Sequence, residues 1–237
     1  MPAGRFGAGR RVAVIGDSHG RDMANGLHQV LPGDAYDVRY VYSIATCIRP
    51  VQGSQGQGPC PSLWGRIRTS PLVANADIIV LSFRWWGGGA KQLPAMLEEL
   101  KRVSKVPDVR FVVTGRAVEP HGFHSSALWQ AKAGAYGGNI AFPTPASLSL
   151  VAGIDKILQE SAGKSGDATV FWSKAASQCP DRRCRFIDED MNLLMWDVQH
   201  FTLIGARRVA EDLMRAFPSL FPLAGPRQQS TPSAPAS

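Results

Sequence analysis

The chain has 237 residues, 44% hydrophobic and 19% charged, a balance that excludes a disordered protein and favours one α/β domain with its own core. Its formal charge is +7, but the Lys and Arg are dispersed apart from Arg182-Arg183-Arg185 and Arg207-Arg208. No nucleic-acid-binding module accompanies them, so nucleic acid is not an expected partner. No apolar run approaches the roughly 18 residues that span a bilayer, and the opening stretch lacks the apolar centre of a cleaved signal.

Residues 1–10 read as a disordered arm. Residues 11–15 form a buried strand, and 19–31 a helix with Met23, Leu27, Val30 and Leu31 on one face. A second strand covers 37–42. The most apolar strand, 78–83, is expected at the centre of the sheet. A helix over 92–103 places Leu93, Met96, Leu97 and Leu100 together, and a fourth strand follows at 109–114. An irregular segment then runs to about residue 145. The helix 147–162 carries Leu150, Ile154, Ile157 and Leu158 on one side, a fifth strand spans 169–172, and a helix over 202–217 ends the pattern. Strands alternating with helices imply a five-stranded parallel sheet covered on both faces. Residues 11–224 then form a single domain, with a disordered tail over 225–237.

The four cysteines fall into two local pairs, Cys47 with Cys60 and Cys179 with Cys184. Neither has the tight Cys-x-x-Cys spacing of a zinc knuckle, and both lie in Pro-, Gly-, Ser- and Arg-rich stretches where a crosslink restrains a loop. Disulfides are expected, and with them an oxidising, extracytoplasmic compartment, although no signal peptide or membrane segment is visible. His121 and His124 have no third ligand at useful spacing, so no metal is expected.

Residues 12–20 read Val-Ala-Val-Ile-Gly-Asp-Ser-His-Gly. A buried strand ends at Gly16 and a helix begins near Ser18, which places the Ser18 hydroxyl at the carboxyl edge of the sheet, where sites form in open α/β folds. The helix N–H groups beside it suit a developing oxyanion. Asp17 and Ser18 as simple helix caps remain the alternative. Gly7-Ala8-Gly9 precedes the strand instead of following it, which excludes a dinucleotide fingerprint. Near the other end, Asp197-Val198-Gln199-His200 stands before the last helix. An Asp and a His three residues apart on one turn allow the carboxylate to hold one ring nitrogen while the other faces a serine. The alternative is a cap at Asp197 or Thr202 with a solvent-facing histidine.

Together these segments resemble the first and last blocks of the SGNH (GDSL-like) hydrolases. More narrowly, the chain resembles the SGNH domain of acyltransferase-3-fused cell-surface O-acetyltransferases. The narrower likeness rests on Gly16-Asp17-Ser18-His19, the Cys47-x-x-Pro50 loop, Leu81-Ser82-Phe83-Arg84-Trp85, and a Cys179…Cys184 pair before Asp197-x-x-His200-Phe201-Thr202-x-x-Gly205-Ala206. It covers roughly residues 11–217.

The resemblance implies a flavodoxin-like three-layer α/β/α sandwich, with Ser18 as nucleophile, His200 as general base and Asp197 orienting it. The glycine and asparagine that form the oxyanion hole in the wider superfamily are not evident. The Ser18 N–H and Arg84 are the candidate donors, with an ion pair as the other reading of Arg84. Trp85, Trp86 and Gly87–Gly89 read as a sugar-stacking wall with a flexible rim, or else as core for at least one tryptophan. His121, His124 and Trp129 are placed on a loop near the same edge, His28 on the surface, and Met191 and Met195 in packing. The expected activity is cofactor-free acyl transfer on O-acetyl esters of bacterial surface polysaccharide. Acetylesterase activity, or a non-catalytic carbohydrate-binding module, is the alternative. The chain is expected to act as a monomer, with a separate membrane acyltransferase as its partner.

Overall fold

In the computed structural model, which describes residues 9–47, 60–119, 145–182, 184–190, 192–197 and 199–222, strand β1 (Arg10–Gly16) lies inside the sheet. Its run Val12–Ile15 is fully buried because each side chain finds an apolar layer on its own face. Val12 and Val14 join one cluster and Ala13 and Ile15 the opposite one. The other strands are β2 (Tyr36–Tyr42), β3 (Ile78–Ser82), β4 (Arg110–Thr114) and β5 (Thr169–Trp172). All pair in parallel, in the order β2-β1-β3-β4-β5. This is the flavodoxin-like order. The chain leaves β1 to one side for β2 and returns across it for β3, so a crevice opens at the carboxyl ends of β1 and β3.

On one face lie α1 (Ser18–Val30) and the final helix, packed through Met23, Leu27, Val209 and Leu213. On the other lie α2 (Cys60–Thr69), α3 (Pro71–Ala74), α5 (Leu93–Val103) and α6 (Pro145–Lys164). They contribute Trp64, Ile67, Val73, Leu97, Leu100, Ile154 and Leu158 to the second cluster. The remaining helices are α4 (Gly87–Ala90), α7 (Lys174–Gln178) and α8 (Leu203–Ala216), the last being the final helix.

Two expectations change. Leu150 is 55% exposed, because the buried stripe of α6 runs through Val151, Ile154, Leu158 and Ala162. Gly87–Gly89, expected as a flexible rim, lie in the short helix α4, and a side chain at Gly88 would strike the Trp86 indole. Helices α2 and α3 occupy a stretch for which the sequence pattern suggested no element; Leu63, Trp64 and Ile67 bury there. Both disulfides are formed, with Cα separations of 4.5 Å for Cys47–Cys60 and 3.7 Å for Cys179–Cys184. These are shorter than the usual ~5.5–6 Å. His121, His124, Trp129, Met191 and both expected disordered ends (all but residues 9 and 10 of the first, and all of the second) lie outside the described residues.

Candidate active site

Ser18 opens α1, two residues beyond the end of β1. The turn between them is fastened on three sides. Asp17 caps the helix by accepting the His19 N–H at 2.9 Å, and its second oxygen accepts the Arg84 N–H at 2.9 Å. Tyr40 from β2 donates its hydroxyl to the carbonyls of Gly16 and Asp17, at 3.1 and 2.8 Å. The Ser43 N–H reaches the Gly16 carbonyl at 2.8 Å. Gly16 itself runs against the Ser82 carbonyl so closely that any Cβ would collide with it. Asp17 is therefore a cap, as its residue type allows, and the cap holds Ser18 at the crevice.

The segment before α8 carries the other two residues. Asp197 Oδ1 accepts the N–H groups of Gln199 and His200 at 2.6 and 2.7 Å. Asp197 Oδ2 lies 2.7 Å from His200 Nδ1, and His200 Nε2 lies 2.8 Å from Ser18 Oγ. An ionised carboxylate only accepts, so the ring proton sits on Nδ1 and Nε2 presents its lone pair to the serine hydroxyl. Partial burial pushes the Asp197 carboxyl up, but the His200 ring and the two N–H groups hold it below the usual carboxylate range. Ser18, His200 and Asp197 are thus brought into one hydrogen-bonded line.

The loop that presents His200 is anchored twice. Thr202 caps α8 by accepting the Gly205 N–H at 3.0 Å, and it donates its hydroxyl to the Leu193 carbonyl. The buried carboxylate of Asp22, on α1, accepts the Phe201 N–H at 3.0 Å. Burial pushes the Asp22 carboxyl up and the Phe201 N–H draws it back. Trp196 stacks on the His200 ring at 5.7 Å and 25° while remaining 61% exposed.

For Arg84 and Trp85 the geometry fits the second of the two readings, an ion pair and a core tryptophan. The Arg84 guanidinium makes a two-pronged pair with Glu119, at 2.8 and 2.6 Å, and Arg116 binds the same carboxylate at 2.8 Å. Its charge is therefore held by Glu119, and the contact it makes with the Ser18 turn is its backbone N–H on Asp17. Trp85 is fully buried, packs edge-on against Phe83 and donates its indole N–H to the Thr114 carbonyl at 2.7 Å. A ring so enclosed supports the end of the sheet and cannot stack on a sugar. Trp86, about half exposed, remains at the surface, as does His28, and Met195 is buried in packing.

Sequence reasoning passed over Asp22, Glu119, His19 and Lys174. His19 is buried with its ring 5.8 Å from that of His200, and burial, followed by the charge of Lys174, lowers its basicity well below the ordinary histidine value. The Lys174 ammonium is enclosed behind the serine turn. The burial of Asp22 and Lys174 follows from tertiary packing, since no helix was expected over 174–178 and Asp22 lies off the apolar stripe of Met23, Leu27, Val30 and Leu31. Among the described residues no group of three His, Cys, Asp or Glu side chains could hold a metal ion.

Residues 2–215 match the family model described as the SGNH domain fused to AT3 domains. No curated protein matches the chain significantly. Among solved structures, the periplasmic domain of a lipopolysaccharide acetyltransferase from Salmonella ser. Paratyphi A is similar with a TM-score of 0.66 and 17% identity, over 88% of this chain and 84% of that one. An acetyl xylan esterase aligns with a TM-score of 0.51 and 15% identity, over 87% and 99% of the two chains. A catalytic mutant of an acetylxylan esterase from Geobacillus stearothermophilus aligns at 0.50 and 11%, over 89% and 94%. These structures share the fold. The chain belongs to the SGNH domain family whose members are fused to AT3 domains, and it is an enzyme of the SGNH type.

Proposed function

We propose that the protein is a serine acyl-transfer enzyme acting on O-acetyl esters of a bacterial surface polysaccharide. The observation that carries this reading is the line from Asp197 Oδ2 through the His200 ring to Ser18 Oγ, with contacts of 2.7 and 2.8 Å. Ser18 Oγ attacks the ester carbonyl carbon and its proton passes to His200 Nε2. The carbonyl oxygen becomes an oxyanion at the start of α1, where the first N–H groups of a helix have no intrahelical acceptor. The Ser18 N–H is its first donor. The tetrahedral intermediate collapses, the alcohol leaves with the proton from His200, and an acetyl-serine remains. An acceptor hydroxyl then gives its proton to His200 and attacks the acyl carbon, and as the acyl–Oγ bond breaks His200 returns that proton to Ser18 Oγ. Asp197 keeps the ring in the required tautomer and offsets the charge of the imidazolium.

A sugar hydroxyl as acceptor makes the enzyme a transferase, and water makes it an esterase. Membership of the SGNH domains fused to AT3 domains favours the transferase, with a membrane acyltransferase supplying the acyl group. The exposed indoles of Trp196 and Trp86 offer the apolar faces that sugar rings require. Two disulfides favour an extracytoplasmic site of action. The test is turnover of an acetylated polysaccharide and of a small acetyl ester by wild type and Ser18→Ala. Loss of both activities in a folded variant is expected; retention of either in a pure preparation would overturn the reading.

A further inference from the structure

The Lys174 side chain is 1% exposed, although a buried ammonium is costly unless it is compensated. It starts α7 just beyond the carboxyl end of β5 and crosses to the end of β3, where Nζ lies 3.1 Å from Ser82 Oγ. Among the described residues this hydroxyl is its hydrogen-bonding partner. Ser82 Oγ in turn lies 3.1 Å from the His19 carbonyl, in the first turn of α1 and next to Ser18. An ammonium can only donate, and a carbonyl can only accept. The Ser82 proton is therefore committed to His19, and the order of donation runs from Lys174 through Ser82 to the turn that carries the nucleophile.

We propose that Lys174 is a positioning residue for Ser18: its buried ammonium, acting through the Ser82 hydroxyl, holds the His19 carbonyl and fixes the first turn of α1 in the attacking geometry. The proposal rests on the acyl-transfer reading of Ser18. The charged and titratable groups facing Lys174 are Asp17 and Asp22 on the α1 side, Asp155 on α6, and the His19 ring. Their carboxylates are occupied elsewhere. Asp17 holds the N–H groups of His19 and Arg84, Asp22 that of Phe201, and Asp155 the Arg116 N–H and the Ser173 hydroxyl. Burial accordingly brings the Lys174 ammonium down to about 8, against which the three carboxylates act. Once deprotonated, Nζ gains a lone pair and can accept a hydrogen bond from the Ser82 hydroxyl, which then turns away from the His19 carbonyl. The folded form of this lysine binds its proton less tightly than the unfolded chain does. Its contribution to stability therefore increases as pH rises from about 8 towards the ordinary lysine value of 10.5.

The opposite signs for activity and stability supply the test. Lys174→Met, Ser82→Ala and Ser18→Ala are compared with wild type for hydrolysis of a small acetyl ester across pH and for thermal stability. Lys174→Met is expected to lower kcat about 10- to 100-fold, the scale of a misplaced reacting group, with KM within about two-fold and Tm not reduced. The wild-type decline in kcat above about pH 8 is expected to disappear in that variant. Ser82→Ala should reproduce the fall in kcat while the lysine remains. Unchanged kcat in Lys174→Met or Ser82→Ala, beside an inactive Ser18→Ala, would overturn the positioning role and leave the serine mechanism standing. Parallel loss of kcat and Tm would assign Lys174 to folding and also overturn it. Full activity in Ser18→Ala would remove the acyl-transfer reading itself, and the proposal with it.

Discussion

The carboxylate of Asp22 accepts the backbone N–H of Phe201 at 3.0 Å, joining α1 to the residue that follows His200. The serine and the histidine come from opposite ends of the chain, and this bond crosses between their supports in the core. Asp22→Asn keeps an acceptor oxygen for Phe201 and should leave kcat within a few-fold of wild type. Asp22→Ala leaves a buried N–H without a partner, a cost of about 1–3 kcal/mol, and should lower kcat about 10- to 100-fold. Equal kcat for the two variants on a small acetyl ester would mean that the bond does not align the pair.

The acceptor side of the account rests on Trp196 and Trp86, since Trp85 is enclosed. One face of Trp196 covers His200, and the rest of its indole remains open to solvent. An aromatic contact worth about 0.5–1.5 kcal/mol corresponds to roughly 2- to 10-fold in affinity. Trp196→Ala should raise KM for an acetylated polysaccharide by about that factor, with a smaller effect on a small acetyl ester. Equal losses on both substrates would show that the ring serves His200 alone.

Arg84 and Glu119 separate two ways of holding an oxyanion. Removal of a true oxyanion donor costs about 100- to 1,000-fold in kcat. Arg84→Met, which keeps the backbone N–H on Asp17, should cost no more than a few-fold, and a loss of the larger size would restore the guanidinium as a donor. Burial pushes the Glu119 carboxyl up, but the hydrogen bond from Arg84 and the charge of Arg116 hold it below the ordinary value of 4.5. Its stabilising contribution is therefore complete above that value and is lost as pH falls through the lower folded value. Glu119→Gln should be less stable than wild type by about 1–3 kcal/mol at pH 7, and the difference should vanish in strong acid. A difference independent of pH would contradict the ion-pair account.

The main lines of the fold were legible because they are local. Val12–Ile15 is uninterrupted by polar residues, and Leu93, Met96, Leu97 and Leu100 repeat at helical spacing. Ser18 could be picked out because it opens a helix after a buried strand, and Asp197 and His200 because they stand three residues apart shortly before another helix. What escaped depends on partners distant in sequence. Which of Trp85 and Trp86 is core is decided only when the Trp85 indole N–H is seen to reach Thr114, 29 residues on. Arg84 finds Glu119 at a separation of 35 residues, and Lys174 finds Ser82 at 92. Leu150 fits the helical pattern of α6, but the sheet meets the neighbouring stripe. Gly87–Ala90 has poor helical propensity, and its helix follows from its surroundings.

One disulfide joins the turn after β2 to the start of α2, and the other lies just beyond α7. Cys47–Cys60 closes a loop with a sequence separation of 13 between the end of β2 and α2. A crosslink of that span contributes about 3 kcal/mol. Reduction, or Cys47→Ser with Cys60→Ser, should lower Tm and leave the Asp197–His200–Ser18 line formed. Mass spectrometry of unreduced protein from its native compartment should match two disulfides. Four free thiols there would contradict an oxidising site of action.

Covalent labelling reads the activation of Ser18 by His200 without any assumption about substrate. A fluorophosphonate captures a serine only when its hydroxyl is deprotonated in the attack. The account predicts a single adduct, mapped by peptide mass spectrometry to the peptide containing Ser18, abolished in Ser18→Ala and strongly slowed in His200→Ala. No adduct on the folded wild-type protein, or an adduct on Ser18 that forms equally fast without His200, would contradict it.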